Sequence, residues 1–223
     1  MLVIFDCDGV LVDSEPISID VLRDVLARSG LILEEEEAYR RFLGKSMTTI
    51  AELLHDEFGL RMTDIHLETI REELFRRFRD ELHPIPGIEA TLRELVQPCC
   101  VASSSQPDRI RLSLGITGLL ALLEPHIYSA SMVKRGKPFP DLFLHAAREM
   151  GQAPERCVVV EDSPAGIMAA QDAGMRVFAF TGGLHAARAG LCERLSELQP
   201  DLIFDDMRRL PGLLADISQQ EGR

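Results

Sequence analysis

The sequence predicts an α/β fold: a parallel sheet covered by helices on both faces, with a helical segment inserted after the first strand. Three features of the chain point there. Leu2-Val3-Ile4-Phe5 is a run of strand-forming apolar residues at the very start. From Ser14 to His83 the apolar residues recur almost throughout at helical spacing. Beyond Pro84 short apolar strands alternate with helical patterns, the order that produces parallel strands joined by right-handed crossovers.

Within the helical segment, Ile17, Val21, Leu22, Val25 and Leu26 mark a first helix that Ser29-Gly30 stops. Glu34-Glu35-Glu36-Glu37 opens a second, its acids complementing the positive end of the helix dipole. Ile50, Leu53, Leu54 and Phe58 define a third, closed by Gly59, and Thr63 opens a fourth with Ile65, Ile70, Leu74, Phe75 and Phe78 on its apolar side. Arg71, Arg76, Arg77 and Arg79 alternate there with Glu68, Glu72, Glu73 and Asp80, which reads as a salt-bridged exposed face. Pro84-Ile85-Pro86-Gly87 breaks the pattern. Strands are then expected at 99–103, 126–129, 157–161, 177–180 and 202–204, with helices near 87–96, 106–114, 139–150, 164–173 and 207–217.

Composition limits the function. A chain of 223 residues with 46% hydrophobic content can bury a full-sized core. The net charge of -12 opposes wrapping a nucleic-acid backbone, which needs a basic face, yet leaves room for a small phosphorylated ligand held by local cations and helix N-termini. The odd set Cys7, Cys99, Cys100, Cys157 and Cys192 reads as reduced thiols of a cytoplasmic protein. Neither an export signal nor an apolar run of membrane-spanning length is visible. His55, His66, His83, His126, His145 and His185 form no metal spacing and read as surface or packing residues. No segment reports an oligomeric state.

Ligands of parallel sheets bind beyond the carboxyl ends of the strands, so the residues just past each strand carry the functional signal. Asp6 and Asp8 lie past the first, with Gly9 turning the chain. Two acids so close repel each other unless a divalent cation or a proton relieves them, although a plain strand-end turn also uses Asp and Gly. Ser103-Ser104-Ser105 closes the second strand, where Ser105 can cap the next helix and the free N–H groups and hydroxyls can hold an anion. Lys137, in Lys137-Pro138-Phe139-Pro140-Asp141, is a cation placed before a helix, with Lys134 and Arg135 as competitors. Glu161-Asp162-Ser163 comes after three valines and offers either oxygen ligands for magnesium or a helix cap, or both.

These four motifs, in this order, resemble those of the haloacid dehalogenase superfamily over essentially the whole chain. The helical insertion looks like the small cap of its phosphatase and β-phosphoglucomutase branch. The resemblance implies a Rossmann-like, doubly wound core at 1–13 and 84–223 with an α-helical cap domain at 14–83. It implies that Asp6 is the nucleophile that becomes an aspartyl-phosphate, and that Asp8 is the general acid and base. It further implies that Mg2+ is held by Asp6, the main-chain carbonyl of Asp8, Asp162 and Glu161. Ser103, Ser104 and Lys137 would hold the phosphoryl oxygens.

Asp8 argues for phosphoryl transfer over carbon–halogen cleavage, because a dehalogenase proper lacks that second acid. The mutase alternative is weakened by Ser18 and Met47, which stand where a β-phosphoglucomutase usually carries a histidine and an arginine. A non-catalytic phospholigand-sensing module is the third reading. In Arg41-Phe42-Leu43-Gly44-Lys45-Ser46, Lys45 is either an exposed lysine at a helix break or the residue that reads the leaving group. Tyr39, where a P-loop needs glycine, argues against a nucleotide site. Resemblance to bacterial sugar phosphatases implies a small phosphorylated sugar or sugar acid as substrate.

Overall fold

The computed structural model describes residues 1–221, with side chains described except at 187, 188 and 218–221. The chain begins with β1 (Leu2–Phe5) and then forms four successive helices, α1 (Glu15–Arg28), α2 (Glu35–Phe42), α3 (Met47–Phe58) and α4 (Asp64–Glu81). It returns through α5 (Ile88–Glu94), β2 (Cys99–Ser103), α6 (Pro107–Ile116), α7 (Leu120–Leu123), β3 (Ile127–Ser129), α8 (Asp141–Glu149), β4 (Cys157–Glu161) and α9 (Pro164–Asp172). β5 (Arg176–Phe180), α10 (Leu184–Arg188), α11 (Leu191–Ser196), β6 (Leu202–Phe204) and α12 (Leu210–Glu221) complete it.

The strands form one sheet in the order β3-β2-β1-β4-β5-β6, and every pairing is parallel. Successive strands step outward from β1 to one side and, after the crossover to β4, outward to the other. This reversal beside β1 is the switch point of a doubly wound fold, where strand ends leave a crevice. Register sets which side chains face it: Phe5 pairs with Val101 and with Val160, so Asp6, Ser103 and Glu161 end neighbouring strands at the same edge. All four residues of β1 are fully buried, as a central strand covered on both faces requires.

The four-helix insertion leaves and re-enters the sheet through one neck. Val12 bridges Pro84 in antiparallel fashion, Asp13 N–H donates to His83 O at 3.0 Å, and Ile85 N–H donates to Leu11 O at 3.0 Å. Val21, Leu22, Val25 and Leu26 of α1 and Ile70, Leu74 and Phe78 of α4 are buried as the helical spacing predicts, whereas Ile65, expected on the same face of α4, stands exposed in its first turn. Gly59 ends α3 with φ 64°, and Thr63 caps α4 by accepting from His66 N–H. Arg76 pairs with Glu73 and Arg77 with Glu81 on the outer face.

Two local expectations change. Ser105 does not cap α6: Pro107 occupies the first turn, Gln106 is the N-cap residue without a side-chain bond, and the Ser105 hydroxyl turns elsewhere. The helix expected at 139–150 starts only at Asp141, after Pro140. Helices α7, α10 and α11 are too short to show a period and go unseen in the sequence. All five cysteines are free thiols, and among the described residues no helix is long and apolar enough to cross a membrane.

Candidate active site

β1 delivers Asp6 into the crevice, where its backbone N–H donates to Val160 O at 3.0 Å. The Lys137 ammonium, on the segment before α8, lies 2.5 Å from Asp6 Oδ1 and 2.6 Å from Glu161 Oε1. Its side chain is only 4% exposed, and the carboxylates it joins are 10% and 1% exposed. Lys134 is exposed and Arg135 is occupied by Asp141, so of the three cations in that segment it is Lys137 that enters the site.

Both oxygens of Glu161 accept hydrogen bonds. Oε1 accepts from Lys137, and Oε2 accepts from both the Ser163 N–H at 2.8 Å and the Ser163 hydroxyl at 2.9 Å. The same Ser163 hydroxyl accepts from Gly166 N–H and so caps α9, a dual use that the sequence left open between Asp162 and Ser163. Gly166 is required here by space: a Cβ would fall 1.9 Å from Glu161 Cδ.

Asp8 has a different environment. Oδ1 accepts from the Ser14 hydroxyl at 2.6 Å and from Arg109 Nη2 at 2.9 Å, and Oδ2 accepts from the Ser105 hydroxyl at 2.7 Å. Burial raises its pKa, but Arg109 and then the two hydroxyls outweigh it and hold the carboxyl below its ordinary value. Asp6 goes the opposite way: burial pushes it well above, Lys137 opposes, and Glu161, Asp162 and Asp8 add to the rise. For Lys137, burial works against the charge, yet Asp6 and Glu161 prevail and raise its pKa. Two aspartates two residues apart are therefore shifted in opposite directions by their surroundings.

Asp162 is 7% exposed and its pKa is raised by burial, with His185 opposing and Glu161 adding. His185 Nε2 lies 2.9 Å from Asp162 Oδ2. The two atoms are in direct polar contact, and neither ring nitrogen has another hydrogen-bond partner among the described residues. Burial alone would lower the pKa of His185, but Asp13 and Asp162, with Glu15 behind them, push it up to about 10. The expectation of a surface or packing residue holds for His185 only in its burial: at 1% exposure it also sets Nε2 against Asp162. Arg109, Ser14 and Ser105 in its hydroxyl role were also missed, since a single arginine or serine takes its meaning only from its partner in space and carries no spacing signal.

Ser103 ends β2 at 1% exposure and accepts from Ser105 N–H at 3.1 Å, while Ser104 is exposed just beyond the strand. Lys45 is exposed on the turn between α2 and α3 and makes no ion pair among the described residues. The turn itself reaches the site edge, because a Cβ on Gly44 would stand 3.1 Å from Ser163 Cβ. The structure therefore unites Asp6, Lys137 and Glu161 by direct contact, sets Asp8 and Asp162 within electrostatic reach of Asp6, and brings the Lys45 turn against Ser163.

Among the described residues no three Asp, Glu, His or Cys side chains form a ready cation cage. The donors nevertheless suit magnesium, which takes one or two carboxylates and completes its shell with water and substrate phosphate. Asp6 and Asp162 are buried, hard-oxygen groups whose raised pKa values record too much negative charge in too little water. A divalent cation relieves that excess.

A buried aspartate, a fixed lysine and an acid pair thus meet at the switch point of a doubly wound sheet. The family model for haloacid dehalogenase-like hydrolases matches residues 1–174, and the chain belongs to that family. It is 35% identical over 184 residues to 6-phosphogluconate phosphatase of Escherichia coli, covering 82% of this chain and 83% of that one. Hexitol phosphatase A of the same organism is 37% identical over 181 residues, covering 79% and 81%. A conserved haloacid dehalogenase-like protein of unknown function from Agrobacterium tumefaciens superposes with a TM-score of 0.84 at 37% identity, over 97% of this chain and 98% of that one. Family and relatives together make this chain a phosphatase.

Proposed function

We propose that the protein is a magnesium-dependent phosphatase of small phosphate monoesters, with a phosphorylated sugar or sugar acid as substrate. The observation that carries this is geometric: Lys137 joins Asp6 and Glu161 by direct contact at the strand edge, with Asp8 and Asp162 beside them. The E. coli relatives named for 6-phosphogluconate, hexitol and fructose-1-phosphate support the substrate class.

In this reading Asp6 attacks phosphorus in line and becomes the aspartyl-phosphate while the alcohol leaves. Lys137, Ser103 and the Ser104 N–H hold the phosphoryl oxygens as charge spreads over them. Magnesium, held by Asp6, the Asp8 carbonyl and Asp162, would neutralise the phosphoryl charge and align it with Asp6. Glu161 serves by fixing Lys137 and Ser163, and Oε1, which accepts only from Lys137, keeps a lone pair with which it would also meet the cation. Asp8, held ionised in the structure, is ready to take a proton from the water that cleaves the intermediate. To protonate the departing alcohol in the first step it must first take up a proton from solvent, which its release from Ser14, Ser105 and Arg109 on substrate binding would allow.

Residues 14–83 act in the proposal as a cap domain over the core of 1–13 and 84–223, moving on the Val12–Pro84 neck, with Lys45 reading the leaving group. The mutase alternative gains no residue from the structure: Ser18 is spent on Ser14 O and Arg109. A screen of sugar phosphates and sugar-acid phosphates for phosphate release, with and without magnesium, tests the proposal. Release that needs magnesium and disappears in Asp6→Asn is expected. Isomer formation without phosphate release, or full turnover by folded Asp6→Asn, overturns it.

A further inference from the structure

His185 is not among the residues that the superfamily motifs supply, yet the fold devotes unusual care to it. It stands at the start of α10, just past β5, and that segment is tied to the neck by Leu184 N–H donating to Asp13 Oδ1 at 3.3 Å. Two glycines make room for the ring. A Cβ on Gly9 would meet Asp162 Oδ2 at 1.9 Å and His185 Cε1 at 3.0 Å, and a Cβ on Gly183 would meet His185 Cε1 at 2.5 Å. The ring is thus seated between the turn after β1 and the turn after β5, with its Nε2 against one oxygen of Asp162. Asp13, Asp162 and Glu15 are the acids that act on it.

We infer that His185 is a positioning residue that fixes the Asp162 carboxylate, holding Oδ2 so that the other oxygen stays turned toward the cation. This rests on the proposed reading of Asp162 as a magnesium ligand. The physical reason is general: a carboxylate bound to a metal through one oxygen keeps its orientation only if something holds the other, and such outer partners are worth about 10–100-fold in metal affinity. The arrangement also links the cation site to the neck, since the same segment grips Asp13.

The test is magnesium binding measured calorimetrically in the absence of substrate, alongside the magnesium dependence of phosphate release. His185→Leu fills the ring's space without a polar atom, and His185→Gln sets an amide nitrogen near the place of Nε2. His185→Leu is expected to weaken magnesium binding about 10–100-fold. With saturating magnesium its KM for the ester should stay within about threefold, the split that separates a cation-positioning role from general damage. His185→Gln should keep most of the affinity. Gly183→Ala, whose methyl displaces the ring while leaving His185 in the chain, should weaken binding in the same direction and decides the matter if His185→Leu does not fold.

Wild-type affinity in folded His185→Leu or in Gly183→Ala overturns the inference, as does a loss in His185→Gln equal to that in His185→Leu. A wild-type protein that binds no magnesium overturns the reading of Asp162 and the inference with it. A magnesium-binding wild type with unaffected variants overturns the inference alone.

Discussion

Arg109 Nη2 lies 2.9 Å from Asp8 Oδ1 and 3.2 Å from Ser18 Oγ, so one guanidinium on a core helix grips both the second acid and the first helix of the insertion. The guanidinium carbon also stands 5.3 Å over the ring of Phe78 in α4. Because Arg109 is the largest influence holding the Asp8 pKa down, Arg109→Gln should raise it. The midpoint of Asp8 in a carboxyl-carbon NMR titration, assigned with Asp8→Asn, measures the shift. A carboxyl whose pKa is depressed in the folded state stabilises above its unfolded pKa and loses that contribution as pH falls. Arg109→Gln should therefore unfold at lower urea than wild type at neutral pH, with the gap closing in acid.

Lys137→Met should be more damaging. It leaves Asp6 and Glu161 buried without their cation, and breaking a buried ion pair from one side costs about 3–5 kcal/mol. Asp6 is already pushed toward its protonated form, so acid offers an escape: the deficit against wild type in urea midpoint should shrink between pH 8 and pH 5. Phosphate release should fall by about 10³-fold or more, the scale of losing a charged stabiliser together with the geometry of the nucleophile. A midpoint deficit independent of pH would show that Lys137 acts by packing alone.

Much of this site was legible in the chain because each part ends a strand. Asp6, Ser103 and Glu161-Asp162 come after apolar runs, and parallel pairing brings such ends to one edge whatever their distance in sequence. Lys137 was found through its proline-rich setting, though only the contacts with Asp6 and Glu161 separate it from Lys134 and Arg135. Arg109 and His185 were invisible. One is a single cation inside an amphipathic helix, the other a single histidine in a helix too short to show a period, and both take their meaning from partners on other elements. The reassignment of the Ser105 hydroxyl had the same origin, a tertiary partner outcompeting a local cap.

Gly166→Ala tests the packing of the acid pair. The added methyl would overlap the Glu161 carboxylate, which is itself held by Lys137 and Ser163 and has nowhere to turn. Overpacking of this kind costs about 1–3 kcal/mol, occasionally more, and here it also dislodges the anchor of Lys137. The matched control is Gly212→Ala at an exposed position of α12, where a Cβ meets nothing within 4 Å. Removing a helical glycine there should stabilise by about 0.5–1 kcal/mol. Thermal midpoints that fall for one variant and rise for the other, with phosphate release lost only in the first, are the expected result.

Glu15 offers a test of the charge balance at the neck. It opens α1, half-buried, and burial raises its pKa to about 7 from an ordinary 4.5, with His185 and Arg109 pulling it down and Asp8 and Asp162 pushing it further up. In the unfolded chain the carboxyl ionises near its ordinary value, whereas the folded protein keeps the proton until about pH 7. Between those limits the native state binds more protons, so stability falls as pH rises through that window and the loss is complete above it. Glu15→Gln removes the ionisation and with it the loss. In metal-free protein the variant should match wild type near pH 4.5 and melt at a higher temperature than wild type at pH 8. Equal melting temperatures at pH 8 would mean that Glu15 ionises in the fold as easily as in water, and that the acids around Asp8 and Asp162 are less crowded than their geometry implies.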